Sequence, residues 1–535
     1  MIEALFSAKW KKIEKGSVLI YYAMTSSDML PEYYELSILD IEKITPEFAF
    51  VVYSKLNNKI QIITDRFNTV PVYFSYHDSK WYISDYAVHI YNEIPLTLDK
   101  DMIMEQIAFD CLLSRTRTIY TNLLKADAGQ RIELNTQGEY EEQESISLAL
   151  PTNRKEKLNE KEIQQIEEII LNSVKAYPKL YIPLSGGFDS RFVAGIIHNS
   201  NLHTIYSRTY GDAQSLDVKY ATELAQRMQI EHRVVLKTDQ EAIAEFEKLV
   251  TESAGVLNGV HAHDLTGRTL FENEGDAKVS GFIGDVLARG VNFREKETNK
   301  EILNKQFLKK RSNYFKYDYQ KLFTEQNTIP QKVDDYIEYV ESKTGHTEHL
   351  HWVYYQQSRI PNMVSLLEYF SHTEKPNIKP FINPFVAECI ASTAHFDEWE
   401  GSNYVSIAQQ IIPEFMSIPF SSNSVYHTSF SRFLFKAKKR VYQKITNKLA
   451  KWSKGTYQPL AFNATLNWRR ILAKNKEWVS ENLNTAATFL SMNKAELDTI
   501  YKEHCLGLKD HQEFLLRIIH IGVMLKNNTK TSPTL

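Results

Sequence analysis

The residues best suited to chemistry lie in one short loop, residues 185–190, with the sequence SGGFDS. An apolar run, KLYIPL, precedes the loop, and a helical pattern, RFVAGII, follows it. Glycines let the backbone approach a phosphate and turn N–H groups toward it, and serines add hydroxyl donors. The helix would point its positive end at the same anion. The residues expected to contact phosphate are Ser185, Gly186, Gly187, Asp189 and Ser190.

A carboxylate beside phosphate needs a cation between them, so Asp189 predicts a bound Mg²⁺. The loop matches neither the GxxxxGK[ST] nor the GxGxxG pattern. It is similar to the pyrophosphate loop of enzymes that split ATP between its α- and β-phosphates. A plain glycine turn is the alternative, and six matched positions between a strand and a helix count against it.

The elements around the loop predict a parallel sheet. Helical segments alternate with short apolar strands, which are KLYIPLS, HTIYSRTY, HRVVLK and AKVSGF. Helices between strands are typical of βαβ units. From about residue 300 onward, helical patterns dominate.

The N-terminal part has a different pattern. Short segments rich in β-branched and aromatic residues predict strands, namely VLIYYAM, FAFVVYS, IQIITD, PVYFSYH and KWYISD. A turn is expected at 65–68 and a helix at 98–114. A polar stretch at 140–160 is the predicted linker.

Composition excludes several classes of protein. The chain has 535 residues, enough for two to four domains, and a net charge of −3, which gives no overall reason to bind nucleic acid or an acidic membrane. Its three cysteines, Cys111, Cys389 and Cys505, form no CxxC pair, so we expect neither a disulfide framework nor structural zinc. With no signal-like start and no long apolar run, we expect a cytoplasmic protein without a membrane span.

Beyond the loop, the sequence resembles the asparagine synthetase family. Thr209 and Gly211, followed by residues 217–225, are similar to the family's second strand and helix, which carry the adenosine side of the site. Residues 280–285 (SGFIGD) align with the family's Ser-Gly-x-Gly-x-Asp-Glu motif, and the resemblance implies that Gly284 in this segment helps to bind the cofactor. The alignment implies that Asp285 joins Asp189 in holding Mg²⁺.

Two C-terminal segments extend the resemblance. Residues 380–384 (PFINP) resemble the family's Pro-Phe-Leu-Asp segment. Residues 454–457 (KGTY), with Trp468 and Arg469 downstream, are similar to a Lys-x-x-Phe…Trp-Leu-Arg pattern. The resemblance implies that Lys454 is catalytic, placed over the phosphates and the acyl-transfer centre.

The N-terminal part resembles a class II glutamine amidotransferase domain of the Ntn type, through residues 48–52, 64–66, 71–73 and 116–129. The implied fold is an α+β Ntn-type sandwich over residues 1–150. Residues 151–535 would form an α/β pyrophosphate-loop synthetase domain with a helical C-terminal part. In all, the resemblance covers about 45–135 and 179–470.

The sequence departs from the family at three places. Glutamine-hydrolysing members use a cysteine at position 2, where this sequence has Ile2. One alternative is left open, namely that a propeptide or a misplaced start codon hides the nucleophile. No sequence that resembles the active Cys-Gly start is found further downstream. Phe282 stands where asparagine synthetases have a glutamate and β-lactam synthetases a tyrosine, and Val286 replaces the glutamate after Asp285. Glu368 and Tyr369 are left open as candidates to supply the missing dyad.

The resemblance implies a ligase that adenylates a carboxylate with ATP and Mg²⁺ and transfers the acyl group to an amine, without its own glutaminase. The substrates would be a small-molecule or peptide carboxylate and an amine. A peptide macrocyclase of the lasso-cyclase type and a degraded nucleotide-binding regulator are the alternatives. A tRNA-modifying enzyme is disfavoured because zinc-binding cysteine pairs are absent, and the oligomeric state is left open.

Two weaker signals remain. His261, His263 and Asp264 invite a metal interpretation, but without a third nearby ligand we favour surface or pocket histidines. Residues 436–454 hold eight Lys or Arg residues and no acid, with Val441, Ile445 and Leu449 at helical spacing. Such a helix can bind an anionic membrane, a leader peptide or tRNA. We favour a solvated helix face.

Overall fold

The computed structural model describes most of the chain. The described residues are 2–24, 31–146, 155–262, 265, 274–289, 299–312, 319–323, 328–345, 347, 350–371, 375–394, 402–421, 429–460 and 464–527. All structural statements below concern these residues. The expected boundary at 150/151 lies outside them and stays a prediction.

Two sheets form the N-terminal part. One has six antiparallel strands in the order β10-β9-β5-β4-β3-β2, and the other has four in the order β1-β7-β6-β8. Their strands are β1 Ile2–Ala4, β2 Lys11–Lys15, β3 Val18–Met24, β4 Phe48–Ser54, β5 Lys59–Thr64, β6 Tyr73–His77, β7 Lys80–Ser84, β8 Leu124–Lys125, β9 Gln130–Leu134 and β10 Tyr140–Ser145. The strands predicted from the sequence are confirmed.

The two sheets pack face to face. Ala49 and Val51 of the larger sheet share one apolar cluster with Phe74 and Trp81 of the smaller one. Alternate residues of a strand point to opposite faces, so each sheet contributes one apolar face to this core. The turn expected at 65–68 is present, closed by the hydrogen bond from Asn68 N–H to the Asp65 carbonyl.

Three helices belong to this half: α1 Ile38–Ile44, α2 Ala87–Glu93 and α3 Lys100–Phe109. Asp99 caps α3 by accepting from two main-chain N–H groups, and Asp110 ends it in the left-handed conformation. The helix is therefore shorter than predicted. Helices α2 and α3 contribute to a core shared with the C-terminal helices, so the two halves of the chain pack as one body.

The third sheet is wholly parallel, as predicted. Its strands are β11 Lys179–Pro183, β12 Thr204–Gly211, β13 Glu231–Leu236, β14 Ala277–Val279 and β15 Asn377–Ile378. The helices around it are α4 Glu160–Val174, α5 Asp189–Ser200, α6 Leu216–Met228 and α7 Asp239–Glu252. Asn159 and Glu162 form a capping box at the start of α4, so the connection from β10 is shorter than the predicted linker.

The order of the strands indicates where this sheet would bind a ligand. The order is β13-β12-β11-β14-β15, so the chain adds β12 and β13 on one side of β11 and β14 on the other. Ligands of open α/β sheets bind outside the carboxyl ends of the strands, where the order switches direction. That position lies between β11 and β14, and the two sequence motifs follow these strands.

The remainder of the chain is mainly helical, as predicted. Its helices are α8 Gly284–Arg289, α9 Lys300–Arg311, α10 Ile329–Thr344, α11 Leu350–Val353, α12 Ser365–Phe370, α13 Pro384–Ala394, α14 Ser402–Ile411, α15 Ser429–Trp452, α16 Trp468–Lys474, α17 Lys476–Phe489, α18 Lys494–Cys505 and α19 Gln512–Asn527. Tyr354–Val364 is a π-helical segment around Pro361. Within the described ranges, no helix is both long and apolar enough to cross a bilayer.

Candidate active site

The loop after β11 is held by its own serines. Ser185 N–H donates to Ser190 Oγ over 3.2 Å, and Gly187 N–H donates to Ser185 Oγ over 3.1 Å. The two hydroxyls are also 3.2 Å apart. The two serines therefore hold the loop through hydrogen bonds to its own backbone and to each other.

Asp217, in the first turn of α6, holds the loop from the other side. Its Oδ1 accepts from Gly186 N–H at 3.1 Å and from the Ser421 hydroxyl at 2.5 Å. Its Oδ2 accepts from the Thr465 hydroxyl at 3.3 Å. One carboxylate thus joins the loop to two segments that lie more than 200 residues downstream. The sequence resemblance included Asp217 without assigning it this role.

The second motif closes directly on the first. A Cβ atom on Gly281 would lie 2.8 Å from Asp189 Cβ, and one on Gly284 would lie 2.8 Å from Asp189 Oδ1. Asp285 N–H donates to Asp189 Oδ2 over 3.0 Å. Gly281 therefore allows close approach to the backbone of Asp189 and Ser190, and Gly284 leaves room for the Asp189 carboxylate. The structure brings Asp189, Gly284 and Asp285 together.

Ile283 has a conformation that is rare for its residue type. Its φ is +61°, in the left-handed region that disfavours β-branched side chains. It occupies the second glycine position of the Ser-Gly-x-Gly-x-Asp-Glu pattern. Its side chain is buried in the core of the parallel-sheet domain. The surrounding packing therefore holds a strained residue immediately before Gly284.

Tyr404, on α14, is a site residue that the sequence analysis missed. Burial holds the pKa of its hydroxyl well above the ordinary value, and the negative charges of Asp189 and Asp285 add to this effect. Its hydroxyl therefore faces both aspartates. No spacing rule links residue 404 to either motif, so no sequence signal identifies it.

The residues fit Mg²⁺ through their chemistry. Asp189 and Asp285 supply hard carboxylate oxygens at neighbouring strand ends, which is the donor type that Mg²⁺ prefers. Mg²⁺ commonly takes one or two carboxylates and completes its shell with water and phosphate oxygens. Among the described residues there is no group of three or more His, Cys, Asp or Glu side chains able to hold a metal ion by itself.

Thr209 and Gly211 lie at the carboxyl end of β12, next to the loop. The Thr209 hydroxyl donates to the Leu184 carbonyl over 2.5 Å, which fixes the last residue before the loop. Gly211 lies against the Thr465 carbonyl, where a Cβ would come within 2.8 Å. Asp212 N–H donates to that same carbonyl over 2.7 Å. The segment before α16 therefore packs across the end of this strand.

Arg470, on α16, also holds the segment around Thr465 in place. It forms ion pairs with Asp212 at 3.3 Å and with Asp239 at 2.8 Å. Trp468 and Arg469, the residues quoted for the family resemblance, are buried instead. Arg469 donates to Asn447 on α15 over 3.1 Å. The neighbouring arginine, rather than Arg469, thus makes the contact to the strand ends.

Lys454 lies in the turn that ends α15, with a φ of +50°. Gly455 N–H donates to the Ala450 carbonyl over 2.8 Å, as in a helix C-terminal turn. The Lys454 side chain is exposed, and no contact in the described part joins it to residues 185–190. Its catalytic role stays a prediction.

Phe282 is buried in the apolar core of the domain, together with Ile283 and Val286. Its side chain therefore provides packing, and it can neither donate nor accept a proton.

Glu368 and Tyr369, the suggested replacements, face other partners. Glu368 accepts from Lys278 at 2.8 Å and from Asn377 at 2.7 Å. Burial raises its pKa, but the charges of Lys278 and Lys379 outweigh burial and bring it to about 2. The Tyr369 hydroxyl donates to Asp85 of the N-terminal half over 2.7 Å. Tyr369 therefore contacts the N-terminal half, whereas both partners of Glu368 lie on strands of the parallel sheet.

His261 has a structural partner. Its Nε2 lies 2.7 Å from Asp110 Oδ2, and Asn258 donates to Asp110 Oδ1 over 2.8 Å. The pair joins the end of α3 to the segment after α7. His263 and Asp264 lie outside the described residues.

Comparison with known proteins gives one family match. Residues 165–357 match the sequence model of the family described as asparagine synthase. The match spans the phosphate loop, the β12 strand end and the second motif. It indicates an ATP-dependent amide ligase in the general sense. No curated protein matches the chain.

Proposed function

We propose that this chain, whose residues 165–357 form a domain of the asparagine synthase family, adenylates a carboxylate and transfers the acyl group to an amine. The family domain carries the general function of an ATP-dependent ligase. The adenylation chemistry, the use of Mg²⁺ and the substrates are our proposal. The observation that supports it most directly is the contact of the two aspartate motifs at the switch between β11 and β14.

In the first step, an oxygen of the substrate carboxylate attacks the α-phosphorus of ATP. The bond from that phosphorus to the bridging oxygen breaks, and pyrophosphate leaves. Ser185, Ser190 and the N–H groups of the loop would release their mutual hydrogen bonds and donate to the departing oxygens. When bound by Asp189 and Asp285, Mg²⁺ would supply positive charge to the phosphate oxygens.

In the second step, the amine nitrogen attacks the acyl carbon, the bond to AMP breaks, and the amine loses a proton to solvent or to a substrate group. Phe282 offers no acid or base for this transfer. Holding the amine against the acyl carbon can by itself supply on the order of 7–11 kcal/mol of the barrier. We therefore propose that positioning replaces the missing dyad.

The amine would not come from glutamine hydrolysis by this chain. A glutaminase thiol must be accessible and easily ionised. Burial raises the pKa of Cys111 to about 11 and that of Cys389 to about 12, and it also raises the pKa of Cys505. All three cysteines are free, and none has the environment of a nucleophile. The two stacked N-terminal sheets would then be an Ntn-type domain that serves as a structural partner.

The identity of the amine that accepts the acyl group distinguishes two subclasses of ligase. A free amine or ammonia would make the chain a biosynthetic amidotransferase, for example on a metabolite or a surface-polysaccharide precursor. An amine within the same substrate would make it a peptide macrocyclase. The buried Phe282 also supports a third candidate, a nucleotide-binding regulator without catalysis.

The deciding experiment is ATP–pyrophosphate exchange with Mg²⁺, supplied with fractionated small molecules and peptides from the source cells. Exchange that requires one fraction and disappears in Asp189→Asn would establish adenylation and identify the carboxylate. Asp78→Asn, at an exposed turn between β6 and β7, is the matched control. Tight Mg-ATP binding without exchange in any fraction would favour the regulator, and absence of ATP binding would refute the proposal.

A further inference from the structure

Among the described residues, helix α15, Ser429–Trp452, contacts the protein through the face that carries Tyr442, Thr446 and Ala450. The Tyr442 hydroxyl donates to the Leu460 carbonyl over 3.1 Å. Thr446 and Ala450, one and two turns further along, are buried. Gly507 lies close to Ala450, where a Cβ would approach within 2.8 Å. This inner face anchors the helix to the domain, so the opposite side faces outward.

The outward side carries a line of large apolar residues. They are Leu434, Val441, Ile445, Leu449 and Trp452, and their side chains are between 39 % and 85 % exposed. Their spacings of seven, four, four and three residues place them along one stripe of the helix. Single exposed apolar residues are common on proteins, but a continuous stripe of five marks an interaction surface.

A second line, of basic residues, runs beside the stripe. It consists of Arg440, Lys444, Lys448 and Lys451, at spacings of four, four and three residues. None of these four has a carboxylate partner within the described part of the chain. Residues 415–476 contain 13 Lys or Arg residues and no Asp or Glu, in a chain whose acidic residues outnumber its basic ones. The positive charge is therefore concentrated on this helix and its surroundings.

We propose that this outer face of α15 binds the surface of an anionic lipid bilayer. An interfacial helix places its apolar stripe at the boundary of the acyl chains and keeps its lysines at the headgroups. Trp452, at the end of the stripe, is a residue type enriched at that boundary. Lysines near an anionic membrane surface are attracted to it electrostatically. The helix would lie on the membrane without crossing it.

Other occupants fit less well. Nucleic acid would use the basic line, but phosphate contacts leave exposed Val, Ile and Leu side chains without a partner. A second copy of this chain would bring the same basic line against itself, which is repulsive. An acidic protein helix matches the charge, but nothing in the described residues suggests such a segment.

The helix lies near the ligand end of the parallel sheet. Burial raises the pKa of Tyr442, and so do the nearby Tyr457 and Asp212. Asp212 directly follows β12, the strand that ends at Gly211. A bilayer against the outer face would therefore be close to the proposed substrate side. The membrane proposal itself depends only on the helix surface and not on the proposed ligase activity.

The test is flotation of the full-length protein with vesicles of phosphatidylcholine alone or mixed with phosphatidylglycerol. One variant removes the stripe (Val441→Ser, Ile445→Ser, Trp452→Ser) and another removes charge (Lys444→Gln, Lys448→Gln, Lys451→Gln). The matched control for the stripe is Leu56→Ser with Leu202→Ser and Leu236→Ser, three exposed apolar residues elsewhere. Circular dichroism and thermal unfolding check that each variant folds.

We expect the protein and the control to float with the phosphatidylglycerol vesicles, and each α15 variant to bind roughly tenfold or more weakly. Higher salt should release the protein, and tryptophan emission should shift to shorter wavelength on binding, a shift that the stripe variant, which lacks Trp452, should not show. The proposal is overturned if the folded protein does not float, or if it binds neutral vesicles equally well. Two other results would also overturn it. One is normal flotation of the stripe variant together with tRNA binding by the wild type that the charge variant loses. The other is a dimer, seen by light scattering, that the stripe variant cannot form.

Discussion

The main-chain N–H of Asp285 donates a hydrogen bond to Oδ2 of Asp189 over 3.0 Å. The contact joins the start of α8 to the start of α5, two helices that follow neighbouring parallel strands. Gly281 and Gly284 allow it, because a Cβ at either would collide with Asp189. Asp189 therefore has both a structural role and a proposed metal-binding role.

These two roles can be separated by replacing Asp189 with Asn. The amide oxygen can still accept from Asp285 N–H, so the fold should be retained, but the negative charge is lost. We expect ATP–pyrophosphate exchange to fall by roughly a hundredfold or more, because preorganised charge at the reacting phosphates is a large catalytic contribution. Exchange rates at several Mg²⁺ concentrations provide the measurement, and exchange close to wild type would remove Asp189 from the site.

A second prediction concerns Asp217, which joins the loop to Ser421 and Thr465. In Asp217→Ala, Gly186 N–H and the two hydroxyls lose a charged acceptor. We expect a loss of about 1–3 kcal/mol in the free energy of unfolding and weaker Mg-ATP binding, because the loop loses its support. Urea unfolding and calorimetry measure the two effects. Asp498→Ala, at an exposed position on α18, is the control, and equal stability of the two variants would contradict the prediction.

Ile283 offers a test of backbone strain. Replacing it with Ala or Gly removes the same buried packing, but only glycine adopts the φ of +61° without cost. We expect Ile283→Gly to be more stable than Ile283→Ala by about 1 kcal/mol, the reverse of the usual order. Urea unfolding of both variants measures the difference.

The control pair for that comparison is Ile182→Ala and Ile182→Gly, at a buried position in the middle of β11. Here alanine should be the more stable of the two, because a strand interior disfavours glycine. The strain assignment fails if the order at position 283 equals the order at position 182.

The stability of the protein should decrease in acid partly through His520. Burial lowers the pKa of this histidine to about 4, and Nε2 lies 3.1 Å from the Gly255 carbonyl. Between about pH 6.5, the pKa of a histidine in the unfolded chain, and about pH 4, the unfolded chain binds a proton at His520 that the folded protein does not bind. Stability from this group is therefore complete above about pH 6.5 and decreases toward pH 4, by about 3 kcal/mol in total.

Urea unfolding of the wild type and of His520→Gln between pH 7 and pH 4.5 tests this. The variant should be less stable at pH 7 and should show a shallower loss of stability with acid. His77→Gln, at the end of β6, is the control and should retain the wild-type slope. Parallel pH profiles for wild type and His520→Gln would contradict the assignment.

Much of the fold could be predicted from local patterns. Strands such as Val18–Met24 and Phe48–Ser54 appear where β-branched and aromatic runs occur, because such side chains favour a pleated, half-buried surface. The strand–loop–helix arrangement at 179–200 could be predicted for a similar reason, since its glycines, serines and helix start are contiguous. Helix and strand ends were less predictable. Lys100–Phe109 is shorter than the expected helix because Asp99 and Asp110 form its caps.

The site beyond the loop depends on contacts between distant segments. The Asp217 interaction with Ser421 and Thr465 spans more than 200 residues, and the approach of Tyr404 to Asp189 has no signal in residue spacing. The φ of Ile283 also comes from packing, because local preference would favour glycine there. Such contacts are set by sheet order and helix packing, which the spacing of residues along the chain does not encode.

The helix Ser429–Trp452 shows where this limit lies. The sequence alone determined its basic charge and its apolar stripe, since both follow from residue type and a period of 3.6. Only the tertiary structure decided that Tyr442, Thr446 and Ala450 face the protein and that Val441 and Ile445 face outward. The reason is physical: which face of a helix is buried depends on the surface it meets, and that surface includes Leu460, Arg469 and Gly507 from elsewhere in the chain.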